Sequence, residues 1–303
     1  MAGWNERVTD LSIASTMTFD DVACAFPASL QEALELMADE KTRGRLLAGG
    51  TDLMVQWESG VLAMPERAVS VKALPELRTI EETEADVIIG ASVTHMDIRR
   101  SPLTQKHVPS LVDAAATIGG FQIQTMGTIG GSVANASPAG DLAPSLMITD
   151  GAVVLASVRG EREVPITAFW TGYRKTDMQP DELIVRFRLP KMPEGYREAW
   201  RKLGPRQAQA ISKVMGSCRG CVEGGVVKSF RVAIGSVAPT CVRLYDVEKW
   251  IEGKKLNEGT LAEAEKRTSD SITPIADIRS TAEYRKWVTG RIVRGFLEQF
   301  ADQ

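Results

Sequence analysis

The sequence predicts an α+β protein of two domains, and three observations support this. Short apolar strands and amphipathic helices occur along the whole chain without strict alternation. A length of 303 residues accommodates two domains, and no internal repeat is visible. The segment Pro190–Gly195 contains two prolines and a glycine within six residues, a composition typical of a boundary. We therefore expect one domain over residues 1–194 and a second over residues 195–303.

The first domain is predicted to begin with a helix, a strand and a glycine turn. Ser29 and Glu32 have the spacing of a capping box, in which Glu32 reaches back to the helix start. Apolar residues then repeat at helical spacing, and the helix should end near Asp39–Gly44. The strand Leu46–Ala48 follows and runs directly into a glycine pair.

The rest of this domain is predicted from the same signals. Thr94 and Asp97 have the spacing of a helix start. A second helix is expected to end at the glycine pair Gly119 and Gly120. That helix covers Ser110–Ile118, and strands are expected at Ala68–Val71, Val87–Gly90, Ala152–Ser157 and Leu183–Leu189.

The second domain is predicted as a hairpin followed by three helices. Its strands are Ile211–Cys221 and Val226–Val237, joined by Glu223–Gly225. The helices cover about Leu244–Glu252, Leu261–Ser271 and Thr281–Phe300, and a capping box of Ser280 and Glu283 opens the last one.

Composition excludes several classes of protein. Hydrophobic residues at 44% and charged residues at 25% are typical of a soluble globular chain, which excludes a disordered or collagen-like one. No uncharged apolar run approaches the roughly 18 residues that a membrane span needs. Charges near the N-terminus, where a signal peptide would be apolar, and only four cysteines predict a cytoplasmic, reducing location.

Charge is distributed unevenly along the chain. Residues 1–150 carry 10 Lys and Arg against 20 Asp and Glu, a net charge of −10. Residues 151–303 carry 26 against 19, a net charge of +7. Because the basic residues of the second half are interleaved with acids, we expect a partner protein or a solvated surface there and no nucleic acid.

The common catalytic and metal-binding signatures are absent. The sequence has no Rossmann fingerprint, P-loop, nucleophile elbow or zinc-protease motif, and it has only two histidines. Cys218 and Cys221 have the spacing of a metal or redox pair, but no second close pair completes a site, so we expect them to be structural. We predict no metal site and no general acid or base.

Two glycine-rich turns are the strongest functional signal. The first is Ala48–Leu53, and the second lies within the segment Thr128–Asp141. Glycine lets backbone N–H groups converge on an anion, and nearby Ser, Thr and Asn side chains add donors. Either turn alone would be interpreted as a tight turn, whereas the pair could clamp the two phosphates of a diphosphate. Within the second turn, Gly130 is expected to have positive φ or to lie at a close approach, so that a branched side chain there would clash with the phosphate or distort the turn.

Three ordered motifs carry a family resemblance. The segments LLAGGTDL, TMGTIGGSVANASPAGDLAP and YRKTDMQPDELIVRFRLP resemble the FAD-binding subunit of the xanthine dehydrogenase family, the molybdenum hydroxylases. This family includes the medium subunits of bacterial carbon monoxide, nicotinate and aldehyde dehydrogenases. The match extends from about residue 26 to the C-terminus and includes the later segments RKLGPRQAQAI and IGSVAPT. The residues before the match have no counterpart, and we assign them no function.

The resemblance implies a fold and a set of cofactor contacts. The fold is a FAD-binding lobe of the vanillyl-alcohol oxidase and p-cresol methylhydroxylase type, in two subdomains split near residue 75, followed by an α+β domain typical of the family. The implied FAD contacts lie in the two turns, in the DELI strand and in two positions near the isoalloxazine ring. They are Leu46, Leu47, Ala48, Gly49, Gly50, Thr51, Asp52, Leu53, Thr128, Gly130, Gly131, Ser132, Asn135, Asp141, Ile184, Lys202 and Ile211.

Two positions depart from the family pattern. Many relatives have Asp immediately before the position of Ile211, where this chain has Ala210. That difference changes the surroundings of the flavin ring. Many relatives also have Asn where this chain has Ser132, and a serine hydroxyl can still bind a phosphate.

The resemblance therefore predicts an electron-transfer subunit. Substrate would be oxidised at a molybdopterin centre on a large partner chain, and electrons would pass through [2Fe–2S] clusters on a small partner chain to FAD and then to an external acceptor. The expected assembly is a dimer of heterotrimers. Four scattered cysteines cannot ligate two such clusters, which need about four thiolates each, nor do they suggest the extra cluster of the hydroxybenzoyl-CoA reductase branch.

Two alternatives stay open at this point. One is a self-contained FAD oxidase with its own substrate pocket, which reduction by small substrates without partner chains would reveal. The other is a non-enzymatic α+β scaffold whose glycine turns are structural, which flavin absorbance in the purified protein would exclude.

Overall fold

The computed structural model describes residues 18–206 and 209–301. Helices and strands occur in mixed order throughout this part, which confirms the α+β class. None of the described helices is long and apolar enough to cross a bilayer.

A small parallel sheet opens the fold. Its elements are β1 (Ala23–Ala25), α1 (Leu30–Ala38), β2 (Arg45–Leu47), α2 (Leu53–Glu58) and β3 (Arg67–Ser70). The strands lie in the order β1–β3–β2, so both connections pass through a helix. Strand β2 ends directly before the first glycine turn, and this turn therefore lies at the carboxyl edge of the sheet.

Two side chains cap the N-terminus of helix α1, and one of the two hydrogen bonds differs from the prediction. The Ser29 hydroxyl accepts a hydrogen bond from the N–H of Glu32 at 3.2 Å, as predicted. The Glu32 carboxylate accepts from the N–H of Ala28 at 2.6 Å and not from that of Ser29, so the reciprocal half of the predicted capping box is wrong. The buried face of the helix packs against the first sheet and the neighbouring sheet through Ala33, Leu34 and Met37.

A five-stranded antiparallel sheet forms the second layer. Its strands are β4 (Ile80–Glu82), β5 (Asp86–Gly90), β6 (Ala152–Ser157), β7 (Gly160–Pro165) and β10 (Leu183–Pro190), in the order β4–β5–β10–β6–β7. The strands predicted at 87–90, 152–157 and 183–189 are all confirmed. Strand β10 is central, and its Leu183, Val185, Phe187 and Leu189 are buried.

Six short helices fill the connection between β5 and β6. They are α3 (His95–Arg100), α4 (Pro102–His107), α5 (Pro109–Ala116), α6 (Phe121–Met126), α7 (Ile129–Ala134) and α8 (Leu142–Met147). Thr94 and Asp97 form a complete capping box at the start of α3, as predicted. The predicted stop after α5 is also present, since Gly119 has φ +53°. A one-turn helix α9 (Ile166–Phe169) and a hairpin of β8 (Trp170–Gly172) and β9 (Lys175–Thr176) follow β7.

The C-terminal domain packs three helices on an antiparallel sheet. Its strands are β11 (Arg197–Leu203), β12 (Val214–Glu223), β13 (Val226–Gly235) and β14 (Val242–Arg243), and its helices are α10 (Tyr245–Ile251), α11 (Glu258–Asp270) and α12 (Ala282–Ala301). The hairpin and all three helices were predicted. Phe230 on the sheet and Phe300 on α12 meet edge to face, with ring centroids 6.2 Å apart.

Two predicted boundaries in this domain are wrong. The last helix is capped by Thr281, whose hydroxyl accepts from the N–H of Tyr284 at 3.2 Å, and not by Ser280. Strand β12 begins at Val214 and not at Ile211, because the intervening Ser212 turns its hydroxyl toward Asp141, 2.7 Å away.

A buried ion pair joins the two predicted domains. Arg219 and Glu198 lie on adjacent strands β12 and β11, 2.7 Å apart and almost completely excluded from solvent. The Arg219 guanidinium also donates to the carbonyl of His107 at 3.1 Å, and Glu198 accepts from the N–H of Ser110 at 2.9 Å. These contacts hold the C-terminal sheet against helices α4 and α5.

Candidate functional site

The first glycine turn presents a run of free backbone donors. It links β2 to α2, and Gly50 within it has φ +71°, which favours glycine. In the described part of the chain, the N–H groups of residues 49–52 donate to no protein acceptor. Because buried or half-buried N–H groups normally find a partner, this turn is suited to an anionic ligand.

The first glycine turn packs directly against Met126 and Gly127, the two residues that lead into the second turn. A Cβ on Gly49 would lie 1.9 Å from the carbonyl oxygen of Met126 and 3.0 Å from the Cα of Gly127. No side chain fits in that contact, so Gly49 is required for the two turns to meet. The geometry therefore brings the two predicted turn motifs into one site.

The second turn is braced from within. Thr128 caps α7, and its hydroxyl accepts from the N–H of Gly131 at 3.1 Å. Gly130 faces inward: its N–H donates to the carbonyl of Ala91 at 2.9 Å, and a Cβ there would lie 2.7 Å from the same oxygen. Gly130 has no positive φ, so that part of the prediction is wrong. The expected close approach is present, and the group approached is the backbone of Ala91. Gly131 is the exposed glycine of the pair.

A side-chain network joins the segments that follow the two turns. Asp52 accepts from the amide of Gln56 on α2. Arg174, in the β8–β9 hairpin, donates to Gln56 Oε1 at 3.2 Å and to Asn135 Oδ1 at 3.3 Å. Asn135 is the C-terminal cap of α7, so the predicted residues Asp52 and Asn135 are linked through two residues that the sequence did not single out.

Exposed apolar side chains surround the turns. Met54 lies on α2 beside Gly50, while Phe121, Ile123 and Met126 project from α6. Large apolar groups left in contact with water often mark a binding surface. Their position beside the free backbone donors suits a ligand that has both an anionic group and flat aromatic parts.

A buried ion pair lies on the side of the C-terminal domain. The Lys202 ammonium is 2.6 Å from Asp141 and donates to the carbonyl of Thr117 at 3.1 Å. Ser212 donates to the other oxygen of Asp141 at 2.7 Å. Burial raises the pKa of the Asp141 carboxyl, and the charge of Lys202 and its hydrogen bonds oppose that rise. Asp141 is therefore held by Lys202 and Ser212.

The remaining predicted positions frame this arrangement. Ile184 is buried at the start of β10, and the adjacent Val185 carbonyl accepts from the N–H of Ala91, which covers Gly130. Ile184 thus lies on the strand behind the second turn. Ile211 is 55% exposed in the loop between β11 and β12, of which residues 207 and 208 lie outside the described part.

His95 supports the second turn from below. Its ring is buried, and Nε2 lies 3.0 Å from the position that a Cβ on Gly127 would take. Burial lowers the pKa of His95 to about 4, so the ring is neutral at physiological pH. Sequence patterns could not identify this role, because a lone histidine at a helix start carries no packing information.

The cysteines form no metal site in the described residues. All four are free, and Cys218, Cys221 and Cys241 are buried. Burial raises the pKa of the Cys218 and Cys241 thiols, which makes both groups poor ligands and nucleophiles. No group of three His, Cys, Asp or Glu side chains within residues 18–206 and 209–301 could hold a metal ion.

Two family models match this chain, one after the other along its length. Residues 18–192 match the family model described as the FAD binding domain in molybdopterin dehydrogenase. Residues 199–300 match the model described as the CO dehydrogenase flavoprotein C-terminal domain.

Individual relatives cover almost the whole chain. A xanthine dehydrogenase FAD-binding subunit of Escherichia coli is 32% identical over 269 residues, 88% of this chain and 91% of the relative. The carbon monoxide dehydrogenase medium chain of Hydrogenophaga pseudoflava is 30% identical over 275 residues, 89% of this chain and 94% of the relative. Among solved structures, quinoline 2-oxidoreductase from Pseudomonas putida superposes with a TM-score of 0.88 at 26% identity, covering 94% of this chain and 99% of the matched chain.

These matches confirm the family that the three motifs indicated, together with its two-part organisation of FAD-binding and C-terminal domains. The chain belongs to the family of FAD-binding medium subunits of molybdenum hydroxylases.

Proposed function

We propose that this chain holds FAD across the two glycine turns and carries electrons from [2Fe–2S] clusters on a partner chain to an external acceptor. The free N–H groups of residues 49–52, packed directly against the second turn, are the observation that supports this most strongly. FAD is the cofactor named by the matching family model, and when bound it supplies the exchange of electrons. The residues of this chain would bind, orient and shield it.

The diphosphate is assigned to the two turns. Within the proposed contact segment 46–53, the free N–H groups of residues 49–52 supply the first group of donors. Thr128, Gly131 and Ser132 would form the facing wall. Gly130 would support that wall from behind, since its own N–H is already bound to Ala91. Asn135 would act through Arg174, to which its side chain is hydrogen bonded.

The isoalloxazine ring is assigned to the side of the C-terminal domain. Lys202, Ile184 and Ile211 are the proposed neighbours of the ring. Asp141 would fix the position of Lys202, because its carboxylate is engaged by that ammonium and by Ser212. The domain division at residue 195 and the subdomain split near residue 75 belong to the same proposal.

The partner chains follow from the family. Relatives named as medium chains or FAD subunits imply a large and a small partner, and we assign molybdopterin to the large one and the [2Fe–2S] clusters to the small one. We further propose a dimer of such heterotrimers in the cytoplasm. This chain then needs no general acid or base of its own.

A single methyl group tests the binding site. Gly131 is exposed, and a Cβ there would meet only the Thr128 hydroxyl, at 3.1 Å. Gly131→Ala should therefore keep the fold and even favour helix α7, while it places a methyl group where the diphosphate is expected. The matched control is Gly295→Ala on α12, where a Cβ meets nothing within 4 Å.

The measurement is the ratio of flavin to protein after gel filtration. The proposal expects wild-type protein and Gly295→Ala to carry FAD and Gly131→Ala to lose most of it at unchanged thermal stability of the flavin-free forms. Full flavin content in Gly131→Ala would exclude the second turn as the diphosphate wall.

A further inference from the structure

The β8–β9 hairpin carries an arginine in an unusual backbone conformation. Arg174 has φ +52°, the left-handed region that residues with a Cβ rarely adopt. Such a conformation costs free energy and persists where surrounding contacts require it, which often happens at ligand sites. Lys175, the next residue on the same hairpin, is exposed like Arg174 but has no positive φ.

One guanidinium nitrogen of Arg174 spans both halves of the candidate site. Nη1 donates to Gln56 Oε1 at 3.2 Å and to Asn135 Oδ1 at 3.3 Å. Gln56 lies on α2, which follows the first turn, and Asn135 ends α7, which follows the second. A third element of the fold thus places a cation between the two helices that begin at the turns.

The charge of Arg174 has no acidic partner among the described residues. Both of its acceptors are neutral amide oxygens, and no carboxylate of residues 18–206 or 209–301 lies within ion-pair distance of it. The nearest acid in the network is Asp52, which is occupied by the amide group of Gln56. Nε and Nη2 make no hydrogen bond within the described part, so a planar pair of donors stays available.

We infer that Arg174 binds the diphosphate of FAD through this free edge of its guanidinium, an inference that rests on the proposed function. Arginine presents parallel N–H groups that match phosphate oxygens, and its charge would offset that of the diphosphate. Gln56 and Asn135 hold the side chain in place and leave its charge uncompensated until the ligand binds.

ADP isolates the diphosphate contact from contacts to the flavin ring. Affinities of ADP and of adenosine for the flavin-free full chain are measured by calorimetry for the wild type, Arg174→Gln and Arg174→Gly. Loss of a charge-assisted hydrogen bond should weaken ADP binding by about 10- to 100-fold in both variants and leave adenosine binding unchanged. Glycine accepts a φ of +52° without strain, so Arg174→Gly should fold at least as stably as the wild type.

Lys175→Gln is the matched control, because it removes one positive charge from the same hairpin. The inference expects this variant to bind ADP within about twofold of the wild type. Equal losses in Lys175→Gln and Arg174→Gln would show a general effect of surface charge and overturn the inference. Wild-type affinity in Arg174→Gln and Arg174→Gly would overturn it directly.

The wild type separates this inference from the proposal beneath it. If the wild type binds FAD and ADP and the Arg174 variants bind both with the same affinity, only the inference fails. If the flavin-free wild type binds neither FAD nor ADP, the proposed function fails and the inference falls with it.

Discussion

Replacing Lys202 by methionine should destabilise the protein by leaving a buried carboxylate without its counter-ion. The side chains of Lys202 and Asp141 are 8% and 11% exposed, and their charged atoms are 2.6 Å apart. Breaking such a pair by removing one partner costs about 3–5 kcal/mol. After the change, Asp141 would keep only the hydroxyl of Ser212.

The stability lost in Lys202→Met should depend on pH. Burial already raises the pKa of Asp141, and in Lys202→Met the opposing charge is gone, so this pKa rises further. A carboxyl whose pKa is higher in the folded than in the unfolded state stabilises the fold only at pH values low enough to protonate it. The defect of Lys202→Met should therefore shrink as the pH falls and Asp141 becomes neutral.

Urea unfolding of Lys202→Met, Asp141→Asn and the double variant tests this account. All proteins are compared free of flavin, because bound FAD would add stability of its own. Asp141→Asn should restore much of the stability that Lys202→Met loses, since the double variant buries no charge. An unfolding free energy of Lys202→Met equal to that of the wild type would refute the predicted cost. A double variant less stable than Lys202→Met at neutral pH would refute it as well.

Three further predictions concern buried titratable side chains. Burial lowers the pKa of His95 from 6.5 to about 4 in the folded protein. Its contribution to the free energy of unfolding is therefore fully present above pH 6.5 and falls by about 1.4 kcal/mol for each pH unit between these two pKa values. Urea unfolding from pH 7 to pH 4 should accordingly show a shallower decline in His95→Leu than in the wild type. Arg219→Met should cost about 3–5 kcal/mol by leaving Glu198 buried and unpaired, and the Arg219→Met, Glu198→Gln double variant should recover part of it; equal stability of wild type and Arg219→Met would contradict this. Replacing Cys218 and Cys221 together by alanine should leave the flavin content unchanged. Metal analysis of the wild type should find neither iron nor zinc in stoichiometric amount; either metal, lost on this replacement, would contradict the structural role of the two cysteines.

Elements with strong local signals were predictable from the sequence. The complete capping box at Thr94, the alternating strand at 183–189 and the glycine stop after α5 each follow from residues close together in the chain. The two glycine turns were also recognisable, because their residue types and order carry the family resemblance.

Features that depend on long-range contacts were not predictable. Helices α6, α7 and α8 have six residues each, too few for a clear periodic pattern, and tertiary packing decides them. Ser280 and Thr281 both have capping chemistry, and the structure shows that the Thr281 hydroxyl is the one that accepts from the N–H of Tyr284. Arg174 reaches its site through a hairpin far along the chain from Gln56, which no spacing rule could reveal.

The reason for Gly130 shows the same limit. The sequence indicated that a branched side chain at this position would clash with the phosphate or distort the turn. The structure locates the close contact at the backbone of Ala91, about forty residues earlier in the chain, so the glycine shapes the turn indirectly.

Reduction of the flavin with and without partner chains tests the central claim most directly. The full chain is purified alone and after co-expression with the neighbouring reading frames, and flavin bleaching is followed after addition of N-heterocycles and aldehydes. The account predicts that both preparations contain FAD and that only the co-expressed complex is reduced by one of these substrates. Reduction of the isolated chain at the rate of the complex would contradict it and would favour a self-contained FAD oxidase.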